Sequence, residues 1–582
     1  MISSSGMSRR WFWILFFGVV IVAASIRLWN LGSVPVSLYW DEVAMYVDVK
    51  SVLATGMDIH GRPWTQLIYP SYGDYKLPVY IWAAIGSSTL FGLSEFSLRL
   101  PSAIAGIMTV VIAGVLSRVL IEIGSSSTYT SRSLEKIQLF VMMIVALSPW
   151  SIMFSRTAFE GHLGQSLLGL SVLLAAWGLL RKHHWAFFLS PVVGAVATYS
   201  YYSVRFVWVI VFLGLCAVFL IRKYSAQPTF SIFFHSIKGL GIQVIVGTAL
   251  FFICLIPMLL SPLAKDADKF RLGTDSVLNN ENVAIQSNVY REIAGNTKID
   301  RVFYNKWWLV SRELLKNYSD NMSPAYLFVA GDPNLRHGTS QFGLFYLIFL
   351  PVFIIGCAVL FKRHVFLGLF LLLWWLAALL PASVPENTPH ALRSLNALIP
   401  LSIFIGFGAY WLWNKANILA LRILFVGLFL LSFVHFWVFY TQVYPKLSAP
   451  DWQSGYKPLA LQIAQETAQQ RQVYIEAFDD RFYLWIMAYG PYDGTEFKQW
   501  KTDNYKFASA GIPNNFTNIL FTVPEDSKLV ERLENNEQPV LVGRTPEILK
   551  RCETATLYSC QLSSVQDETN EDTFLIARLV KK

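Results

Sequence analysis

Charge and cysteine are the two things this 582-residue chain has least of. Asp, Glu, Lys and Arg together make up 15% of it, while 54% is hydrophobic and the mean hydropathy is +0.44. A soluble domain carries about a quarter charged residues and does not gather its apolar ones into runs of about 20, so a soluble globular protein is excluded. Five cysteines are too few and too scattered for a disulfide framework. Cys216, Cys254 and Cys357 lie in apolar runs as small hydrophobes, and Cys552 and Cys560, close together in a polar tail, either pair, if the tail lies outside the cytosol, or stay free. No CxxC, HExxH or paired His/Cys spacing is present, which removes the case for a zinc site by motif. There is no P-loop or Rossmann glycine fingerprint either, which argues against ATP or a nucleotide sugar as the direct substrate. No internal repeat is found. The net charge of +9 comes from Lys and Arg in short loops between apolar runs, so it reports membrane topology and not a nucleic-acid partner.

What is present is a polytopic α-helical membrane protein. The first apolar run starts at Trp11, behind Arg9 and Arg10, with no small-residue cleavage signal after it, and reads as an uncleaved span held with its start in the cytosol. The run Pro78 to Gly92 is about 15 residues and is interrupted by Gly86, Ser87 and Ser88, short for a span. If it crossed, the basic clusters Arg132/Lys136, Arg181/Lys182, Arg222/Lys223 and Lys362/Arg363 would all face outward. If it lies flat in the interface, they all join Arg9 and Arg10 inside, as the positive-inside rule requires. Eleven spans follow: 11–29, 98–121, 138–155, 164–180, 186–200, one ending at Arg222, 240–260, 342–361, 366–381, 395–412 and 418–440. Residues 1–441 then form the membrane domain, with a first outer loop at 30–97 and a large outer loop at 261–341 containing helical patches near 281–294 and 307–317. Residues 442–582, where charge returns and runs such as 472–478, 518–523 and 539–543 alternate with polar helical stretches, form an extracytoplasmic α/β domain.

This topology places on the outer face a set of ionisable residues hundreds of positions apart. They are Asp41 and Glu42 after the first span; Asp74 and Lys76 before the flat segment; Arg156, Glu160 and His162 after the third; Arg205 after a tyrosine cluster; Arg336 and His337 in GDPNLRH; and His390 and Arg393 in PHALRS. Ionisable groups at a lipid boundary are costly unless they act on something. Carboxylates beside Lys and Arg suit a lipid with a phosphate head: the cations bind phosphate by charge-assisted hydrogen bonds, and a carboxylate takes the proton of an attacking hydroxyl. Asp41, Glu42 and Glu160 are therefore the catalytic candidates, and Lys76, Arg205, Arg336, His337, His390 and Arg393 the phosphate-binding ones. A divalent cation, with Asp74 as a ligand, would stabilise leaving-group charge without being required. Bland readings stand beside each: a helix cap for Asp41, a supporting contact for Glu42, a snorkelling anchor for Lys76, an i,i+4 pair with Arg156 for Glu160, an interface anchor for Arg205, and loop packing for the two Arg/His pairs. His162 reads as structural.

The combination of DE after the first span, YKLPVY, SLRLPSAIAG and SRTAFE resembles the GT-C superfamily of polyprenyl-phosphate-sugar-dependent glycosyltransferases, in particular bacterial members akin to protein O-mannosyltransferases and the lipid A aminoarabinose transferase. The likeness covers roughly residues 11–210 well and the later spans in outline. It implies an inverting transferase at the extracytoplasmic face of the plasma membrane, with a polyprenyl-phosphate-linked sugar (mannose or another hexose) as donor, a protein, lipid or glycan as acceptor and membrane lipids around it. On that pattern Asp41 is the catalytic or acceptor-orienting carboxylate, Lys76 contacts donor phosphate, and Glu160 is the second acidic position. The family often has Glu just before that Lys and two prolines after it, where this chain has Tyr75 before Lys76 and Leu77-Pro78 after, so the metal ligand attributed to that Glu is not matched here and Asp74 is the candidate to substitute for it. A transporter or flippase of lipid-linked sugars and a non-catalytic scaffold presenting the tail are the alternative readings.

Overall fold

The computed structural model describes residues 8–71, 74–124, 129–226, 230–274, 276–279, 281–415, 419–476, 479, 481–492 and 518–582. By internal contacts it divides into two units, one of residues 1–29 and 101–437, the other of residues 30–100 and 438–582. The segment expected as the first outer loop therefore groups with the tail.

The first unit is helical. Across the chain, eight helices among the described residues are long and apolar enough to cross a membrane: Arg9–Leu28, Glu95–Gly124, Glu160–Arg181, Val204–Lys223, Leu240–Leu260, Val365–Ser383, Leu395–Lys415 and Leu419–Leu447. The other three of the eleven expected spans are shorter helices. The one expected at 138–155 is Ser131–Leu147, ended where Ser148 caps a new short helix, Pro149–Phe154. The Ser148 side chain accepts from the Ser151 N–H and Pro149 takes the first helical position, where its missing N–H costs nothing. The span expected at 186–200 is His184–Thr198, and that expected at 342–361 is Phe349–Arg363. At about 1.5 Å per residue, helices of 15 to 17 residues fall short of a hydrocarbon core of about 30 Å. The large outer loop is more helical than its composition suggests: Glu281–Ala294 and Lys306–Met322 match the two expected patches, and Pro262–Thr274 and Lys298–Phe303 are added. The last of these is fixed by a capping box between Thr297 and Asp300.

Two arginines tie the first unit together. Arg27, fully buried, donates to the carbonyls of Ala23, Val145 and Ala146 and to Ser151. Arg156, also fully buried, donates to the carbonyls of Ile26 and Arg27. Each sets a cation against the carbonyl end of a helix, where the dipole is negative.

The second unit combines the first outer loop with the tail. The loop contributes the helix Trp40–Thr55, the strands β1 (Tyr69–Ser71) and β2 (Asp74–Lys76) paired antiparallel, and the short apolar helix Pro78–Phe91. The tail contributes β3 (Val473–Ile475), β4 (Ile519–Leu520), β5 (Val540–Arg544), β6 (Tyr558–Gln566) and β7 (Asp572–Lys581) in the order β4-β3-β5-β7-β6. The β3 pairings with β4 and β5 are parallel and those of β7 with β5 and β6 antiparallel. Three strands fall in the expected runs, though 477–478 of the first run lie outside the described residues. The β6–β7 hairpin is an addition to them. Leu541 and Leu579 of the sheet share a buried core with Leu529 of the helix Asp526–Glu534 and Ile548 of the helix Thr545–Thr554, and Cys552 and Cys560 form a disulfide. Loop and tail are joined by polar contacts as well: Lys50 donates to the carbonyls of Met487, Ala488 and Gly490 at 2.8, 3.0 and 2.8 Å, and Lys457 pairs with Glu95.

Candidate functional site

In the second unit the site is built on a helix start and a hairpin. Asp41 is the second residue of Trp40–Thr55, where the positive end of the helix dipole favours a carboxylate. The β1–β2 hairpin returns the chain so that the Lys76 ammonium reaches Asp41 Oδ1 at 2.5 Å and Asp74 Oδ2 at 3.1 Å. Tyr39 donates its hydroxyl to Asp41 Oδ2 at 2.5 Å. The ammonium is nearly covered, with a side-chain exposure of 7%, whereas Asp41 and Asp74 keep 22% and 24%. The two carboxylates are thus the accessible members of the cluster. Asp41, Asp74 and Lys76 are brought together as the sequence suggests.

Glu42 turns the other way. Its carboxylate forms a two-pronged pair with Arg99, Nε at 3.0 Å and Nη2 at 2.8 Å, and neither side chain has any exposure. Arg99 also donates to the carbonyls of Leu31, Pro35 and Ser37, so the pair pins the start of the Asp41 helix to the chain that leads into it. Arg99, in SLRLP, is the partner the sequence reading did not identify. A charged residue at the mouth of an apolar run was its only signal.

In the first unit, Arg336, His337, His390 and Arg393 are brought into one cluster around a residue that sequence reasoning missed, Asp332. Asp332 is 2% exposed; its Oδ1 accepts from the Asn334 N–H at 2.9 Å and its Oδ2 from the Ala391 N–H at 2.7 Å. It thereby fastens the GDPNLRH turn to the PHALRS segment. The turn is close-packed: a Cβ at Gly338 would lie 2.3 Å from the Asp332 carbonyl oxygen, and Gly331 has φ +74°. Buried Asn317 and Asn321 hold the stretch that leads into and through PHALRS, Asn317 by donating to the Ser383 carbonyl at 2.9 Å and Asn321 by accepting the His390 N–H at 3.1 Å. The His337 and His390 rings lie 4.5 Å apart.

Burial pushes the Asp332 carboxyl up to about 6, against the pull of the two backbone N–H groups and of the Arg393 and Arg336 guanidiniums. Burial, together with His337, Arg393 and Arg336, holds His390 well below the ordinary imidazole value, so its ring is neutral. Asp332, His337 and His390 have ligand atoms within 4.8 Å of one another and are the one group among the described residues able to hold a divalent ion; Asp74, the expected ligand, is engaged by Lys76. A carboxylate with two imidazoles suits zinc or a similar ion. Two guanidiniums beside it and the Arg393 N–H directed at His390 Nδ1, at 3.5 Å, suit an anion better.

Glu160 starts the helix Glu160–Arg181, is 8% exposed, and its carbonyl accepts from Ser200. Arg205 lies over the Tyr202 ring at 4.9 Å. His162 is fully buried with neither ring nitrogen paired among the described residues.

No family model and no curated protein sequence matches the chain. Among solved structures, it is similar to ArnT from Cupriavidus metallidurans bound to undecaprenyl phosphate, at 12% identity over 98% of both chains and a TM-score of 0.50. It is also similar to the archaeal oligosaccharyltransferase AglB from Archaeoglobus fulgidus in complex with an inhibitory peptide and a dolichol-phosphate, at 14% identity over 92% of this chain and 69% of that one, with a TM-score of 0.47. The similarity to ArnT is one of fold, the GT-C-like architecture that the sequence resemblance implied; the apolar helices and the C-terminal sheet domain are those expected from the residue pattern.

Proposed function

We propose that this protein is an inverting membrane glycosyltransferase that moves a sugar from a polyprenyl phosphate to a hydroxyl-bearing acceptor at the extracytoplasmic face. The observation that carries the reading is Lys76, nearly covered and shared between two more accessible carboxylates. An ammonium so placed has a reason to exchange partners when an anionic lipid head arrives, and Asp41 is the group it would release. In this account the donor phosphate draws Lys76 from Asp41. The freed Oδ1 then accepts the acceptor's proton as its oxygen bonds to the anomeric carbon and the sugar–phosphate bond breaks. Polyprenyl phosphate departs with the bonding pair, already anionic and in need of little acid help. Glu42, through Arg99, positions the helix and does not touch the reacting atoms.

The His337/His390 cluster with Arg336 and Arg393 is assigned to phosphate recognition, since two imidazoles and two guanidiniums offer donors to an anion. Arg205 and Glu160 are assigned supporting roles in donor and acceptor binding. A divalent ion on Asp332, His337 and His390 would supply further charge for the leaving phosphate. Three facts support the reading: ArnT, whose fold this chain shares, was solved with undecaprenyl phosphate; the sequence motifs resemble the same superfamily; and the Cys552–Cys560 disulfide fits a tail outside the cytosol. A hexose such as mannose is the sugar we propose.

The test is to offer purified protein in lipid nanodiscs a panel of radiolabelled polyprenyl-phosphate sugars with protein, lipid and glycan acceptors. Formation of a glycosidic bond, or slow donor hydrolysis without acceptor, is expected. Passage of labelled lipid across a vesicle bilayer with no bond made or broken would replace the transferase with a transporter.

A further inference from the structure

The helix that carries Asp41 lacks an N-cap of its own. Tyr39 occupies the cap position and makes no side-chain hydrogen bond to the backbone of the first turn; its hydroxyl is spent on the Asp41 carboxylate instead. Uncapped helix starts leave backbone N–H groups without partners, which frays the first turn. Here the missing acceptor comes from a residue more than 400 positions later: the Trp40 N–H donates to Gln453 Oε1 at 3.1 Å.

Gln453 is prepared for this contact. It is 8% exposed and has φ +52°, a left-handed backbone conformation that a glutamine adopts at a cost. Its side-chain amide is oriented by Asp479, whose Oδ2 accepts from Gln453 Nε2 at 3.2 Å and from the Tyr456 hydroxyl at 3.1 Å, while Oδ1 accepts the Arg481 N–H at 2.9 Å. That fixes which end of the amide faces Trp40. The contact is flanked by ring packing: the Arg481 guanidinium lies 4.4 Å over the Trp40 ring, and Tyr39 meets the fully buried Trp452 edge-on at 5.5 Å.

We infer that Gln453, oriented by Asp479, is a positioning residue for the reaction: the tail supplies in trans the N-cap that holds the first turn of the Asp41 helix, and with it the Asp41 carboxylate, in register with Lys76. This rests on the proposed role of Asp41 as proton acceptor. It gives the tail a function in the chemical step, distinct from recognising an acceptor.

The test uses the full-length protein in nanodiscs and two readouts, amide hydrogen exchange of peptides spanning residues 40–46 and steady-state transfer kinetics. Gln453→Leu removes both polar ends of the side chain. The expected result is faster exchange in those peptides and a kcat lower by on the order of 10-fold with donor KM unchanged. The pair Gln453→Glu with Asp479→Asn exchanges the amide and the carboxylate between the two positions, so the carboxylate now at 453 still accepts from Trp40 and the amide now at 479 donates to that carboxylate. This double variant is expected to recover both exchange protection and kcat, whereas Gln453→Glu alone, which sets two carboxylates together, recovers neither. Unchanged exchange in Gln453→Leu would refute the trans cap. Faster exchange with unchanged kcat, or a double variant that recovers protection without recovering kcat, would refute the positioning role. If the wild-type protein makes no glycosidic bond at all, the functional reading fails and the positioning role with it, while the cap is still judged by exchange alone.

Discussion

The two polar clusters, one in each unit, are opposites in charge and in construction. Around Lys76 there are two carboxylates for one ammonium, with the carboxylates more exposed than the cation. Around Asp332 there are two guanidiniums for one carboxylate, and the carboxylate is the member deepest inside. The first is suited to taking a proton and the second to receiving an anion. The comparison also shows how differently the two are held: Asp41 and Lys76 are fixed by a helix start and a two-stranded hairpin within 35 positions of each other, whereas the second cluster depends on buried side chains reaching across 59 to 69 positions.

The largest effect should come from breaking the anchor under the first cluster. Replacing one member of a fully buried, two-pronged pair leaves the other uncompensated, at about 3–5 kcal/mol. Glu42→Gln and Arg99→Met are each expected to lower the melting temperature sharply in detergent, measured by tryptophan fluorescence, and to abolish transfer, while Asp74→Asn leaves the melting temperature near that of wild type.

Next in size are the cations of the second cluster. Hydrogen bonds to a charged group contribute about 1.5–3 kcal/mol, so Arg336→Ala and Arg393→Ala should each weaken binding of a polyprenyl-phosphate sugar by roughly 10- to 100-fold in a titration, with kcat at saturating donor little changed. Equal losses of kcat and of affinity would mean that this cluster takes part in the chemical step, and the division of labour would not hold.

The smallest effect is one of pH. Asp332 has a folded-state value of about 6, above the about 3.9 of an unfolded aspartate. The folded protein therefore holds this proton more tightly, and Asp332 makes stability fall as pH rises from about 4 to about 6, after which the loss is constant. Asp332→Asn should remove that decline. Binding should shift in the same window, because the proposed donor is a phosphodiester and does not titrate there: protonating Asp332 removes a negative charge beside two guanidiniums, so affinity is expected to rise a few-fold between pH 7 and pH 5 in wild type, a rise that Asp332→Asn should reduce.

Much of this was legible in the sequence, for identifiable reasons. Long apolar runs gave the membrane class, and the brevity of the run from Pro78 to Gly92 agrees with the short apolar helix Pro78–Phe91. The first cluster could be read because its members are close in sequence and of unlike charge. Asp332 could not, since Asp-Pro-Asn in a Gly-rich stretch has the composition of any turn, and only its burial and its reach to Ala391 distinguish it. The three short helices that replace expected long spans follow from local breaks, such as Ser148-Pro149, that a hydropathy window averages away. Gln453 was hidden for the strongest reason: its acceptor role exists only once the tail and the first outer loop have folded into one unit.

The most direct measurement is the kinetics of sugar transfer from a radiolabelled polyprenyl-phosphate sugar by wild type, Asp41→Asn and Lys76→Ala side by side. The account predicts that Asp41→Asn binds donor normally and loses kcat by about 10²- to 10⁴-fold, and that Lys76→Ala loses donor affinity. Turnover retained in Asp41→Asn would contradict the account at its centre.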